Sequence, residues 1–253
     1  MTTPVSLFPT CIVDSLYPEV GEAVVDVLER LNVSVDLPEG QTCCGLPLYN
    51  NGYHDEARAV AARTIAAMAG EQTIVVPSGS CAWMMRKIYP KLLGEVGEAF
   101  AARVREFSEF VAAECVTKDA TPRFRLPQVK TCTYHASCHL LRGLHLPEPP
   151  RALLAATEQL DVRPLEQAEE CCGFGGTFSV RYDQVSTKMM DDKLAHARAT
   201  GAETLVVTDP GCMLHLDGGA RRQGGIRVRH LAEVLAEAEL VGEPEADAGK
   251  GVE

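Results

Sequence analysis

The sequence predicts an α/β protein built from two tandem lobes, each with a parallel sheet, related by internal duplication. Three observations lead there. Strand-length apolar runs alternate with amphipathic helical stretches along the chain, which implies parallel βαβ units with right-handed crossovers. Eight of the ten cysteines fall into two matching sets of four, Cys11, Cys43, Cys44 and Cys81, then Cys138, Cys171, Cys172 and Cys212. The phrases around them repeat in the same order. CCG stands at 43–45 and 171–173, PSGSC at 77–81 against TDPGC at 208–212, and RVR at 103–105 against 227–229.

The first lobe is read as residues 1–116. VSLFP (5–9) is strand-like, and Val20, Val24, Val27, Leu28 and Leu31 recur at helical spacing before a second strand, VSVDL (33–37). After the first CCG corner, Ala57, Val60, Ala61, Ile65 and Met68 mark another helix, with Asn51 or Asp55 as capping candidates. TIVVP (73–77) is a buried strand, and a helix starts at Cys81. Residues 117–128, polar and Pro-bearing, read as a linker. The second lobe, 129–241, repeats the order: strand KTCTYH (130–135), a helix through 151–160, strand DVRPL (161–165), the second corner, a long helix through 189–199, strand TLVVT (204–208) and a helix from Cys212. Residues 242–253 are acidic and poor in apolar side chains, which predicts a disordered tail.

This order is that of a Rossmann-like lobe written twice. It places Cys11, Cys43 and Cys81, and again Cys138, Cys171 and Cys212, just past the carboxyl ends of strands, where open α/β sheets bind ligands. Helix N-termini there offer free N–H groups and positive dipole ends that stabilise thiolates.

Composition narrows the chemistry. A net charge of −11 argues against a nucleic-acid partner, and Arg221, Arg222, Arg227 and Arg229 read as a solvated face. No apolar run approaches the roughly 20 residues of a membrane span, and no basic, then apolar leader opens the chain, so a cytoplasmic protein without membrane insertion is expected. In a reducing compartment, clustered cysteines point to metal ligation rather than disulfides. Cys115 and Cys132 have no counterpart in the other half and read as ordinary buried thiols.

Adjacent cysteines followed by glycine suit a compact inorganic cluster. Two neighbouring thiolates serve one small body if the backbone turns sharply between them, and Gly45 and Gly173 permit that turn. Gly175 and Gly176 extend it in the second lobe. Four thiolates per lobe match the ligand number of a [4Fe–4S] cluster. Structural zinc also takes four cysteines, but the short C-x2–4-C knuckles usual for it are missing here. A zinc-stabilised scaffold stays open as the alternative. His135 and His139 beside Cys138 are candidates for a hydrogen bond to a ligand or a proton relay, whereas His145 reads as structural. Arg142 and Arg181 read as surface ion pairs or a carboxylate site. Neither a P-loop nor a dinucleotide fingerprint is present, so no bound flavin or nicotinamide is expected.

The phrases FPTCIVDSLYPEVG (8–21), CCGLPLYNNG (43–52), PSGSCAWM (77–84), YHASCHLLRGL (134–144) and CCGFGGTFS (171–179) carry a resemblance. The chain resembles the tandem cysteine-rich (CCG) domain iron–sulfur family related to heterodisulfide reductase, and within it the lactate-utilisation branch. The resemblance spans nearly the whole chain. It implies an iron–sulfur electron-transfer subunit of bacterial L-lactate oxidation to pyruvate, acting with two other lactate-utilisation subunits. Carried over by position, the ligands would be Cys11, Cys43, Cys44, Cys81, Cys138, Cys171, Cys172 and Cys212, with one [4Fe–4S] cluster per lobe. The family motif ends in C-x-x-C, and here Ser78 and Asp209 replace the first of that pair. That departure counts against the five-thiolate noncubane cluster of the heterodisulfide enzyme. Both replacements read as helix N-caps, with an oxygen ligand as the other option. The runner-up function is a thiol–disulfide reductase subunit of the heterodisulfide type.

Overall fold

A computed structural model describes residues 3–116 and 123–241. The first lobe runs β1 (Thr3–Leu7), α1 (Cys11–Leu16), α2 (Pro18–Arg30), β2 (Val33–Asp36), α3 (Leu46–Asn50), α4 (His54–Ala67), β3 (Thr73–Val76) and α5 (Gly79–Trp83). A π-helical turn (Met84–Ile88) then leads to α6 (Tyr89–Leu93), α7 (Glu95–Arg103), β4 (Val104–Glu106) and α8 (Phe107–Val116). The second lobe runs β5 (Arg123–Tyr134), a π-helical turn (His139–Gly143), α9 (Glu148–Ala155), β6 (Thr157–Arg163), α10 (Phe178–Arg181) and α11 (Asp183–Ala199). It ends with β7 (Thr204–Val207), α12 (Pro210–Gln223), β8 (Arg227–His230), α13 (Leu231–Ala236) and β9 (Glu239–Val241).

The first sheet has the order β2-β1-β3-β4 and is parallel throughout. The second repeats it as β6-β5-β7-β8, also parallel. The cysteine duplication is therefore a duplication of topology. In each sheet the connections reverse direction between the first and third strands of the lobe, and that switch point opens a crevice at the carboxyl ends.

Three expectations need correcting. Residues 123–128, read as linker, form the first half of β5; 117–122 and the tail 242–253 lie outside the described residues. The helix expected through 151–160 stops at Ala155, and 157–160 belong to β6, because Phe124 and Arg125 of β5 offer backbone partners to Thr157 and Glu158. The second sheet keeps its four parallel strands and adds one antiparallel pairing, β9 with Arg123–Arg125. Asn51 and Asp55 are not N-caps: Asn51 follows α3 and donates to Pro47 O at 2.6 Å, while Asp55 pairs with Arg58. Cys132 is buried as expected, and the Cys115 side chain lies outside the described residues.

The lobes interlock. Val13, Tyr17 and Val20 of the first lobe pack with Leu194, Leu205 and Leu216 of the second. Reciprocally, Leu140 and Leu144 pack with Met84, Met85 and Ile88 of the first. Between them, α2 lies against α13, Val24 and Leu28 sharing one core with Leu231 and Leu235. Each fully buried aliphatic among these contributes about 1.5–3 kcal/mol, so the two sheet ends are held in one fixed relation. No helix among the described residues is long and apolar enough to cross a membrane.

Candidate metal centre

Each set of four cysteines is assembled from one loop and two helix starts at the carboxyl edge of its sheet. Cys11 opens α1 after β1, Cys43 and Cys44 lie in the loop after β2, and Cys81 sits in the first turn of α5 after β3. Cys138, Cys171, Cys172 and Cys212 repeat this after β5, β6 and β7. Burial repeats too. The first two cysteines of each set are half-buried, and the last two are buried. All eight line a single cavity of about 130 Å³ between the lobes.

The glycines do what the sequence asked of them. Gly45 and Gly173 have φ of +87° and +92°, and each donates its N–H to the sulfur two residues back, Cys43 and Cys171, at 3.4 Å. A Cβ on Gly173 would stand 2.7 Å from Ser186 O, so the corner is closed to any other residue.

The thiols within each set are linked. Hydrogen bonds from Cys11 and Cys44, reinforced by Gly45 N–H, pull the Cys43 thiol down to about 3. Cys138, Cys172 and Gly173 N–H pull Cys171 down to about 2. The partners move the other way: Cys11, Cys44, Cys138 and Cys172 are raised, first by hydrogen bonding to those neighbours and then by burial. Cys172 Sγ lies 3.2 Å from Cys212 Sγ. Crowding four thiols into one buried group opposes their joint ionisation unless a cation sits at its centre. Four sulfurs prepared in that way fit a thiolate-bound metal or metal cluster.

Ser78 and Asp209 are both helix caps. Ser78 Oγ accepts from Cys81 N at 3.2 Å, and Asp209 Oδ1 accepts from Gly211 N at 3.0 Å and Cys212 N at 3.4 Å. Asp209 also reaches across the lobes. Its Oδ2 accepts from Ser80 N at 2.8 Å and Ser78 Oγ at 3.1 Å, so one buried carboxylate ties the starts of α5 and α12 together.

His139 lies beside the second set, Nδ1 3.8 Å from Cys138 Sγ, with its ring 5.0 Å from that of Trp83 across the lobe boundary. His135 is fully buried, and burial pushes it down to about 4. His145 is exposed and lines no part of the cavity. Arg142 donates to Glu169 O at 2.7 Å and Arg181 is exposed on α10; neither lines the cavity. Arg221 pairs with Asp217 from an exposed position, but Arg229, largely buried, pairs with Glu233 and Glu237, so only part of this basic cluster is the solvated face expected.

Two participants escaped sequence reading. Tyr89 donates its hydroxyl to Cys44 O at 2.9 Å, fixing the first corner from beneath. Lys193, 2% exposed, lies under the second corner and donates to Gln167 O. Its signal was a lysine on the apolar stripe of α11, among Ser186, Met190 and Ala197.

A cysteine-rich domain (CCG) profile matches residues 5–86 and again 132–217, most of the chain and both cysteine sets. The chain belongs to the CCG cysteine-rich domain family. Among relatives, this CCG protein is 40% identical over 239 residues to lactate utilization protein A 1 of Bacillus anthracis, covering 92% of this chain and 97% of that protein. It is 41% identical over 238 residues to lactate utilization protein A of Bacillus pumilus, covering 91% and 98%. Among solved structures, glutamate racemase from Francisella tularensis overlaps 93% of this chain and 78% of its own at 10% identity and a TM-score of 0.36, too low to bear on function.

Proposed function

We propose that this CCG protein is the iron–sulfur electron-transfer subunit of a bacterial L-lactate oxidation system, working in the cytoplasm with two other lactate-utilisation subunits. The observation that carries the reading is the convergence of two equivalent four-thiol sets on one cavity between interlocked lobes. The lactate assignment is supported by near full-length similarity to proteins named for lactate utilization.

Cys11, Cys43, Cys44 and Cys81 would hold one [4Fe–4S] cluster, and Cys138, Cys171, Cys172 and Cys212 the other. Such clusters supply one-electron acceptance and release. The residues here bind and position. Gly45 and Gly173 aim their N–H groups at ligand sulfur, the α5 and α12 N-termini face their own cysteines, and Asp209 fixes the distance between the two helix starts. Structural zinc also takes four thiolates, but the wide separation of the cysteines along the chain, without the short C-x2–4-C knuckles usual for zinc, favours a cluster. Ser78 and Asp209 spend their oxygens on backbone caps, which supports four rather than five ligands per lobe.

The test is iron, zinc and acid-labile sulfide per chain, on protein purified without oxygen. About eight irons with matching sulfide supports a [4Fe–4S] centre in each lobe. Zinc without sulfide overturns the electron-transfer reading.

A further inference from the structure

The duplication allows the two thiol sets to be compared residue by residue. Besides Ser78 against Asp209, whose carboxylate is held by Ser78 Oγ and by the N–H groups of Ser80, Gly211 and Cys212, their surroundings differ at two buried positions. Phe8 and His135 are equivalent. Each follows the first strand of its lobe and lies three residues before the first cysteine. Each donates its backbone N–H to the matching carbonyl of the central strand, Phe8 to Val75 O at 2.9 Å and His135 to Val206 O at 3.0 Å. Both side chains are fully buried. The phenyl ring packs into the apolar cluster that holds Cys44, Ile74 and Val76. Neither imidazole nitrogen makes a well-aligned hydrogen bond, although the Ala168 carbonyl lies within reach, and one nitrogen lies within 4.8 Å of the sulfurs of Cys172 and Cys212.

The second difference sits on the helix beneath each corner. Gly45 faces Ala57 O and Val60, whereas Gly173 faces Ser186 O and Met189, which puts α4 and α11 in the same register. Thr64 then falls opposite Lys193, and both are 2% exposed. Thr64 donates to Cys43 O at 3.3 Å. Lys193 donates to Gln167 O, and its charge acts on Cys171, Cys172 and Cys212. A phenyl ring and a hydroxyl in the first lobe are thus an imidazole and a buried amine in the second.

A protein-bound iron–sulfur centre becomes more negative when it takes an electron. A hydrogen-bond donor aimed at ligand sulfur and a nearby cation in a low-dielectric setting both stabilise that reduced form. An imidazole carries at least one N–H in either protonation state, and buried polar atoms are rarely left unpartnered.

We propose that His135 donates a hydrogen bond to the second-lobe centre and, with Lys193, gives that centre the higher reduction potential. With both centres bound, one electron would pass from the first-lobe centre, oxidising it, to the second, reducing it, so that electrons would collect in the second lobe. This rests on the iron–sulfur reading above.

The test is a redox titration of the whole chain, purified without oxygen and followed by electron paramagnetic resonance. The expected result is two separable potentials. His135→Phe, which installs the residue the first lobe already carries there, and Lys193→Thr each lower only the higher potential. Phe8→His raises only the lower one. Two centres that titrate together, or signals that none of these substitutions moves, would overturn the inference while leaving the iron–sulfur reading intact. Absence of iron and sulfide would overturn both. The wild-type titration decides the first point even if a variant fails to fold.

Discussion

Asp209 is the residue whose loss reports most directly on how the two lobes are joined. Truncation by Asp209→Ala removes the N-cap of α12, worth about 1 kcal/mol. It also removes the charged acceptor for Ser80 N–H and Ser78 Oγ on the other lobe, and hydrogen bonds to a charged group are worth about 1.5–3 kcal/mol. The expected loss is about 3 kcal/mol. For a chain of this size that is a fall in Tm of roughly 6–12 °C. Asp209→Asn separates the two roles. Asparagine caps a helix about as well as aspartate, but its amide brings a donor to Ser80 N–H, so its loss should lie between wild type and Ala. The assay is urea and thermal denaturation of the protein purified without oxygen, followed by circular dichroism, with the metal content of each variant measured alongside. An Asp209→Ala protein within about 0.5 kcal/mol of wild type, or an Asn variant less stable than the Ala variant, would refute the account.

Other substitutions test neighbouring features. Gly173→Ala combines positive φ with a Cβ 2.7 Å from Ser186 O and should lose about 3 kcal/mol together with metal content. Gly176→Ala, also at positive φ but in open space, should lose only about 1 kcal/mol; equal losses in denaturation would sink the steric argument. Tyr89→Phe removes the bond to Cys44 O and should cost about 1 kcal/mol or more in urea denaturation, and no change would mean the corner does not depend on it. Burial raises the Glu106 carboxyl from 4.5 to about 8. Between those values the folded state keeps a proton that the unfolded chain has lost, so this stabilising contribution is full below 4.5 and disappears as pH rises through 8. Glu106→Gln should therefore gain stability relative to wild type between pH 5 and 8, by up to roughly 1.4 kcal/mol per pH unit; parallel pH profiles in denaturant would contradict it.

Much of the fold was legible because its signals are local. The periodicity of Val20, Val24, Val27 and Leu28 and the run at 73–77 announce α2 and β3 without reference to distant residues. The misreadings came where pairing overrides local pattern. The apolar series through Leu153, Leu154 and Leu160 reads as one helix, but β5 recruits its second half into a sheet-edge strand. Residues 123–128 look like a linker because they are polar and contain Pro127, yet a register shift between Arg125 and Lys130 accommodates them within β5. Nor could the role of Tyr89 be read from sequence, since its partner carbonyl lies 45 residues away.

By itself the sequence determined the donor inventory: eight cysteines in two ordered sets, a glycine after each Cys-Cys pair, and a cap at 78 and 209. Only the tertiary structure decided that both sets face one cavity, that Asp209 serves helices of both lobes, and that Phe8 and Thr64 in one lobe become His135 and Lys193 in the other. The physical reason is range. Turn chemistry and helix capping act over a few residues, whereas convergence of groups more than a hundred positions apart depends on how the crossovers pack and how the lobes exchange side chains across their shared core.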